Sequence, residues 1–403
     1  MKKLLAFVAA IAMVGSIVAT ASADVSLYGS VRMRTYFNSY DSDYFGGGAA
    51  SSYQQTEWKM DGLTRLGFDF KFGDVTGKWE IDAATDNAGI DQKGSGAAGR
   101  GTMRLRLAYG VWNFGSGKLL IGQDYPLTDY YVTSIYQTDN GFQGWGGLGI
   151  SEARISQIKL QFGGFRVAAI TPYTKLDPLT AAGAAYGASV NSFVPKLEAR
   201  YDGKIGKGFN WMAVAGFQTY DANAYGTGGD GDSKGITSWV LALAAKYNYK
   251  GLTIGALGKY AINGGNYGLC AGNPANAIST WGAGGQNAIN AKRADLARIA
   301  GNGDVKDATT WSGLISIGYK FNEIFSAEAG YGYVDNRVWN YEDNGQAAYL
   351  QARFTVAPGV YVVPELIYYD AMESKTRRPG DATTTREDGS LTSFGIMWRI
   401  DFK

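Results

Sequence analysis

Residues 25–37 read VSLYGSVRMRTYF, and the character of the side chain changes at almost every step. Odd-numbered positions are mostly apolar, as at Val31 and Met33, whereas even-numbered positions include Arg32 and Arg34. Because successive side chains of a β-strand point to opposite faces of the sheet, this stretch predicts a strand with one apolar and one charged face.

The same period of two residues recurs along the chain as far as residues 394–402. Around Arg104 and Arg106, for example, Leu105, Leu107 and Tyr109 form the opposite face. The pattern predicts sixteen strands, with fourteen or eighteen still open if a weak stretch is misread. The predicted strands begin near Val25, Leu63, Thr76, Thr102, Gly117, Ser151, Gly164, Val194, Lys207, Ile236, Lys250, Thr310, Ile324, Gln346, Pro358 and Ser390.

The connections between the predicted strands alternate between short and long. Seven tight turns, such as 73–75 and 163–164, alternate with eight long segments, among them 125–150, 262–309 and 335–345. Tight turns at one end and long loops at the other are typical of an outer-membrane barrel, where closure leaves no strand edge unpaired in lipid. A secreted β-sandwich is the alternative, but it has no reason to sort its loops by length. We therefore predict an all-β fold, a transmembrane antiparallel β-barrel of about sixteen strands with short periplasmic turns and long external loops.

The long segment 262–309 holds one pattern of a different kind. Residues 290–301 read NAKRADLARIAG, in which good helix formers lie between an asparagine and a terminal glycine. Asparagine is a favoured N-cap and glycine often follows a helix end, so these residues predict a short external helix.

Residues 1–23 have the three parts of a secretory signal peptide. Two N-terminal lysines are followed by an apolar run to about residue 18, then by small residues ending at Ala23. A retained membrane helix is the alternative, but the run is short for a span and contains Gly15. We expect cleavage after Ala23, which leaves residues 24–403 as a single barrel domain.

The composition excludes several classes of function. The chain of 403 residues contains no histidine and one cysteine, Cys270. Histidine-based catalysis, histidine-ligated zinc and an internal disulfide therefore cannot be built from this chain. The 38 Lys and Arg residues nearly balance the 36 Asp and Glu residues, which argues against a nucleic-acid partner. We predict a protein that is not an enzyme and that uses no cofactor or metal.

With this architecture, the mature chain resembles the general porins of Gram-negative bacteria. The resemblance is carried by residues 24–29 (DVSLYG), by the strand, turn and strand of 108–123, and by the terminal residues 393–400 (SFGIMWRI). Two features differ from that family: Lys403 follows the aromatic residue at which such chains usually end, and the third long loop lacks a Pro-Glu-Phe-Gly-Gly motif. The resemblance implies a homotrimer in the bacterial outer membrane, surrounded by outer-membrane lipid.

Arginines recur on the polar faces of the first strands. The polar face of a barrel strand points into the lumen, so the pattern predicts a basic wall that lines the pore. Its members are Arg32, Arg34, Arg65, Arg104 and Arg106, with Arg154 as a further candidate whose direction the alternation leaves open.

The third long loop, residues 125–150, contains acids and no Lys or Arg. The resemblance implies that this loop folds inward, faces the arginine wall and narrows the channel. Its acids Asp129 and Asp139 would oppose the guanidinium groups, and aromatic residues would pack it against the inner wall. The aromatic candidates are Tyr130, Tyr131 and Tyr136. An external loop with ordinary aromatic anchors is the alternative.

These features predict a water-filled channel for passive diffusion of small hydrophilic solutes and ions. Cations slightly outnumber anions among the lumen-facing positions assigned to the first six strands, so we expect a weak anion preference. Two alternatives stay open. One is a substrate-selective channel for anionic or aromatic solutes, and the other is a structural barrel whose long loops dock a cell-surface partner.

Overall fold

In a computed structural model of the chain, sixteen strands form a closed antiparallel barrel within the described residues. The described residues are 24–43, 52–61, 63–84, 102–135, 154–174, 185–225, 233–267, 296–300, 304–339, 341–370, 372–376, 384–387 and 389–403. The predicted fold class is confirmed. The predicted signal peptide, residues 1–23, lies outside the described residues, as do Tyr136 and Asp139. Among the residues that the structure describes, none of the helical segments has the length and apolar character needed to cross a membrane.

The strand segments follow the chain in order. They are β1 Asp24–Tyr40, β2 Tyr53–Met60, β3 Arg65–Phe72, β4 Val75–Ala84, β5 Thr102–Asn113, β6 Lys118–Asp124, β7 Ile155–Phe162, β8 Phe165–Ile170, β9 Ala185–Asn191, β10 Lys196–Ile205, β11 Phe209–Tyr225, β12 Ser233–Tyr249, β13 Leu252–Ile262, β14 Arg298–Ile299, β15 Val305–Lys306, β16 Ala308–Lys320, β17 Phe325–Val338, β18 Tyr341–Ala357, β19 Val360–Asp370, β20 Glu373–Thr376, β21 Thr384–Glu387 and β22 Ser390–Phe402. The pair β2 and β3 makes the second barrel strand, and β9 with β10 makes the eighth. Two small hairpins, β14 with β15 and β20 with β21, extend from the long-loop end.

The first and last strands close the barrel. β1 pairs with β22 from Gly29 opposite Phe402 to Tyr40 opposite Leu391. The other edge of β1 pairs with β2 and β3, so neither edge of this strand is left open. A closed sheet satisfies its backbone donors and acceptors internally, which is the condition for strands to lie in lipid.

Side chains alternate between the two faces of the wall as the sequence predicts. On β1, Val31 and Met33 are exposed on the outer surface, whereas Arg32 and Arg34 are buried on the inner side. The outward row is apolar on the neighbouring strands as well. This division gives the barrel a hydrophobic outer belt and a polar lumen.

A β-bulge in β5 interrupts the strict alternation that the sequence predicts around Arg106. The register shifts opposite Glu80, and Arg106 and Leu107 are consequently both buried on the inner side. Beyond the bulge the two faces exchange, so Tyr109 lines the lumen and does not face outward with Leu105. One extra residue in a strand reverses the direction of every later side chain.

Two predictions for the long segments are wrong in the residues that the structure describes, and residues 290–295 and 301 of the predicted helix lie outside them. Arg298 and Ile299, inside the predicted helix, form a strand that pairs with β15, because Ile299 is fully buried beside Tyr220 and this tertiary contact outweighs helix propensity. Segment 335–345 was predicted as a long loop, but β17 and β18 stay paired as far as Val338 opposite Tyr341.

Candidate functional site

The third loop enters the barrel. Residues 125–135 leave the fifth barrel strand and reach the opposite inner wall, where Ser316 Oγ on β16 donates a hydrogen bond of 2.7 Å to the carbonyl oxygen of Val132. The backbone N–H of Ser134 donates to Glu328 Oε1 on β17, also at 2.7 Å. This part of the loop therefore crosses the lumen, and residues 136–150 lie outside the described part of the chain.

Aliphatic side chains hold this loop against the wall. Leu127, Val132 and Ile135 are buried in one apolar cluster with inward-facing wall residues. The wall residues of the cluster include Met212, Val214, Ala242, Ala244, Leu257 and Leu314. Burial of these side chains removes apolar surface from water and stabilises the inward position.

The two predicted loop aromatics that the structure describes have polar contacts. Tyr130 stacks under the Arg200 guanidinium, whose central carbon lies 4.8 Å from the ring centroid. Partial burial raises the pKa of the Tyr130 hydroxyl above its ordinary value, so the ring stays neutral at physiological pH. The Tyr131 hydroxyl donates to Asp129 Oδ2 at 3.2 Å.

Four charged side chains of alternating sign line the inner face of β10. We call Lys196, Glu198, Arg200 and Asp202 the charge ladder. Glu198 accepts hydrogen bonds from the Thr128 backbone N–H at 3.1 Å and from its hydroxyl at 3.3 Å. Arg200 Nη1 donates to the carbonyl oxygens of Leu127 and Asp129, at 3.2 and 3.1 Å. The ladder therefore clamps the start of the third loop from one strand.

The charge ladder is not among the predicted site residues, although the sequence contains a signal for it. Residues 196–202 read KLEARYD, in which every second residue is charged and the sign alternates. A period of two places all four charges on one face, and the apolar residues between them mark that face as the inner one.

A second long segment also enters the lumen. The chain after β13 makes a short 3-10 helix, Gly264–Tyr267, whose four residues are all buried. The Tyr267 ring lies over the bare backbone of Gly216, and its hydroxyl donates to the Ser238 carbonyl oxygen at 3.3 Å. Lys196 Nζ lies 5.0 Å from the ring centroid of Tyr267 and 3.6 Å from Glu198 Oε1. The charge ladder thus contacts both inward segments.

Three of the predicted wall arginines point inward but are almost inaccessible. Arg32, Arg34 and Arg106 retain only 1, 3 and 1% exposure. Arg34 forms an ion pair with the fully buried Asp61 and lies 3.8 Å from Glu57 Oε2. Neither carboxylate is among the predicted lumen-facing residues.

Arg106 shares two carboxylates of β4 with Arg65 and Arg104. Arg106 donates to Glu80 Oε1 at 2.6 Å and approaches Asp82 at 3.3 Å. Arg104 pairs with Asp82 at 3.1 Å while its side chain keeps 56% exposure, and Arg65 lies 3.7 Å from Glu80. Arg104 is therefore the wall arginine most open to a solute.

Arg154 lies beside the start of the third loop and not in this group. Its guanidinium carbon is 5.7 Å from the ring centroid of Tyr125. Arg65, Arg104 and Arg106 instead contact Glu80 or Asp82 across neighbouring strands. The Arg154 side chain, whose direction the sequence pattern leaves open, thus points toward the third loop.

Among the described residues, two chambers lie in the lumen near the tight turns. The first, of about 600 Å³, is lined by inward residues of the early strands: Asp24, Asp69, Lys71, Lys78, Tyr109, Lys118, Asp124, Lys159 and Arg166 among others. The second, of about 510 Å³, includes Ser134, Lys246, Lys320, Glu323, Glu328 and Arg353. Both contain more basic than acidic side chains, which attracts anions to this end of the lumen.

No protein-family model matches the chain, and no curated protein sequence matches it. Among solved structures, the outer membrane channel DcaP of Acinetobacter baumannii is similar with a TM-score of 0.63 at 17% identity, over 95% of this chain and 98% of that one. The trimer form of OmpT, an outer membrane protein of Vibrio cholerae, gives 0.55 at 18% identity, over 94 and 99% of the two chains. The anion-selective porin from Comamonas acidovorans gives 0.51 at 13% identity, over 94 and 100%. The chain thus has a porin-like β-barrel fold.

Proposed function

We propose that the protein is a porin of the bacterial outer membrane, a water-filled channel for passive diffusion of small hydrophilic solutes and ions. The observation that carries this proposal is the third loop inside a closed barrel, because a loop held against the inner wall by fixed contacts narrows a lumen. The porin-like fold supports the same function. The accessible charged side chains of the lumen, Arg104 among them, would then set the electric field that a solute crosses.

The same proposal includes export, assembly and selectivity. The signal peptide of residues 1–23 would direct export, and the trimer form of OmpT supports a homotrimer as the assembly. We propose a weak anion preference, supported by the basic excess in both chambers. The accessible cations, and not the buried arginines, would provide that preference.

Single-channel recording in a planar bilayer tests the proposal. Purified protein should give discrete conductance steps, and a salt gradient should give a reversal potential with the sign of anion preference. Arg104→Ala should move selectivity toward cations, because its side chain is accessible in the lumen. Arg337→Ala is the matched control, since Arg337 has similar exposure and also pairs with a carboxylate but lies on the outward row of β17.

The results separate the candidate functions. Conductance steps without a shift in Arg104→Ala would keep the channel and remove Arg104 from its selectivity. An absence of steps from folded protein would contradict the channel and favour a structural barrel that docks a partner through its long loops.

A further inference from the structure

The first chamber contains basic side chains that the local carboxylates do not neutralise. Its lining includes five cations, Lys71, Lys78, Lys118, Lys159 and Arg166, and three carboxylates, Asp24, Asp69 and Asp124, which leaves a surplus of two positive charges. Arg166 also pairs with Asp202, but that carboxylate is shared with Arg200 of the charge ladder. Adding Asp202 and Arg200 to the count leaves the surplus of two positive charges unchanged.

Ion pairing divides these cations into two groups. Lys78 pairs with Asp69 and Lys159 with Asp124, each at 2.8 Å. In the part of the chain that the structure describes, Lys71 and Lys118 form no ion pair and both are exposed. Exposed ammonium groups without a carboxylate partner keep their hydrogen-bond donors for a solute.

The strand register brings the two groups together on one concave wall. Lys71 lies opposite Thr76 near one tight turn, and Lys118 lies opposite Gln161, which in turn faces Arg166. Lys71 and Lys118 are three strand spacings apart, roughly 14 Å along the wall, and both project into the same chamber. Long lysine side chains can approach one solute from both sides across that distance.

We propose that the first chamber binds a small oxyanion with two negative charges, of which inorganic phosphate is the simplest. Lysine provides a compact charge with three donors, which suits the several acceptor oxygens of such an anion. The paired Lys78 and Lys159 frame the site, whereas Lys71 and Lys118 contact the ligand. The chamber lies inside the barrel wall, so the ligand is a soluble anion and not a lipid headgroup. This inference rests on the proposed function and adds a substrate class to it.

The second chamber has a surplus of one positive charge, because Lys246, Lys320 and Arg353 face two carboxylates, Glu323 and Glu328. Its Lys320 pairs with Glu323 at 2.6 Å, and Arg353 stacks on the ring of Tyr361 at 4.2 Å. Glu328 adds a second carboxylate to the same lining. A dianion is therefore expected to prefer the first chamber.

Isothermal titration calorimetry of the detergent-purified protein tests the site. Inorganic phosphate, at low ionic strength and mildly alkaline pH where it is mostly a dianion, should bind saturably and more tightly than chloride. The double variant Lys71→Gln/Lys118→Gln should bind phosphate at least about tenfold more weakly. Lys207→Gln is the matched control, because Lys207 lies in a tight turn at the same end but outside the chamber.

Conductance of the same samples separates this inference from the proposed function. Conductance without phosphate binding, or equal binding by the folded double variant and the unchanged protein, would overturn the site and leave the channel. Saturable binding that the double variant loses, in protein that forms no pores, would keep the site and overturn the channel. Circular dichroism confirms that both variants retain β-structure.

Discussion

At the scale of single residues, Gly122 is required by the backbone that surrounds it. Its φ is +132°, and a Cβ there would lie 2.2 Å from the carbonyl oxygen of Ala108. Gly122→Ala should therefore lower the free energy of unfolding by about 1–3 kcal/mol or more, measured by urea titration in detergent. Gly110→Ala on the adjacent strand is the control, since a Cβ there meets nothing within 4 Å and should have little effect. Equal loss of stability in both variants would contradict this explanation.

Asp61 provides a second prediction at this scale, because it is fully buried and neutralises a buried guanidinium. It accepts hydrogen bonds from Arg34 Nε at 2.9 Å and from the Leu63 backbone N–H at 2.7 Å. Asp61→Asn should destabilise the folded barrel by about 3–5 kcal/mol, since it leaves Arg34 without its principal countercharge. In contrast, Glu323→Gln breaks an exposed pair and should change stability by less than about 1 kcal/mol. Both values come from the same urea titration, and a small effect of Asp61→Asn would show that Glu57 alone suffices.

At the scale of elements, the charge ladder of β10 holds the third loop. Glu198→Ala removes the acceptor of both Thr128 hydrogen bonds and the carboxylate near Lys196. We expect a noisier open-channel current with additional conductance levels, because the loop then has fewer fixed contacts with the wall. Glu387→Ala, on the hairpin outside the barrel, should leave the current unchanged. A quiet, single-level current from Glu198→Ala would show that the aliphatic anchors are sufficient.

Strands were predictable because alternation is a local signal, readable within each run of residues. The bulge at Arg106 was not, since it depends on how β5 pairs with β4 and not on β5 alone. The ion pairs of the arginines could be predicted in part. Glu80 and Asp82 alternate with apolar residues on β4, which lies between the strands of Arg65 and Arg104. Asp61 lies in the interruption between β2 and β3, where the period of two gives no direction. Ion pairs among inward-facing charges should therefore be considered before arginines are assigned to an open pore wall.

The inward segments show the limit of a local pattern. Leu127, Val132 and Ile135 have no periodicity that separates an inner-wall contact from an external loop, because their partners lie on strands far along the chain. Tyr267 over Gly216 is a similar case, with the glycine providing the space and the tyrosine filling it. Such contacts are determined by tertiary packing. The inward position of the third loop was therefore predicted only through the resemblance to general porins, and the inward position of Gly264–Tyr267 was not predicted.

At the scale of the whole molecule, the electrostatic field of the lumen should make the ion selectivity depend on the salt concentration. The basic excess of the two chambers acts on ions through water, and the distance over which charge is felt falls from about 10 Å at 0.1 M salt to about 3 Å at 1 M. The anion preference should consequently be greatest in dilute salt and approach equal permeability near 1 M. Reversal potentials measured at one fixed concentration ratio, but at two absolute concentrations, provide the test. A preference that stays constant as salt rises would mean that ions are selected by direct contact at a narrow point, and a cation preference would contradict the assignment of the chambers.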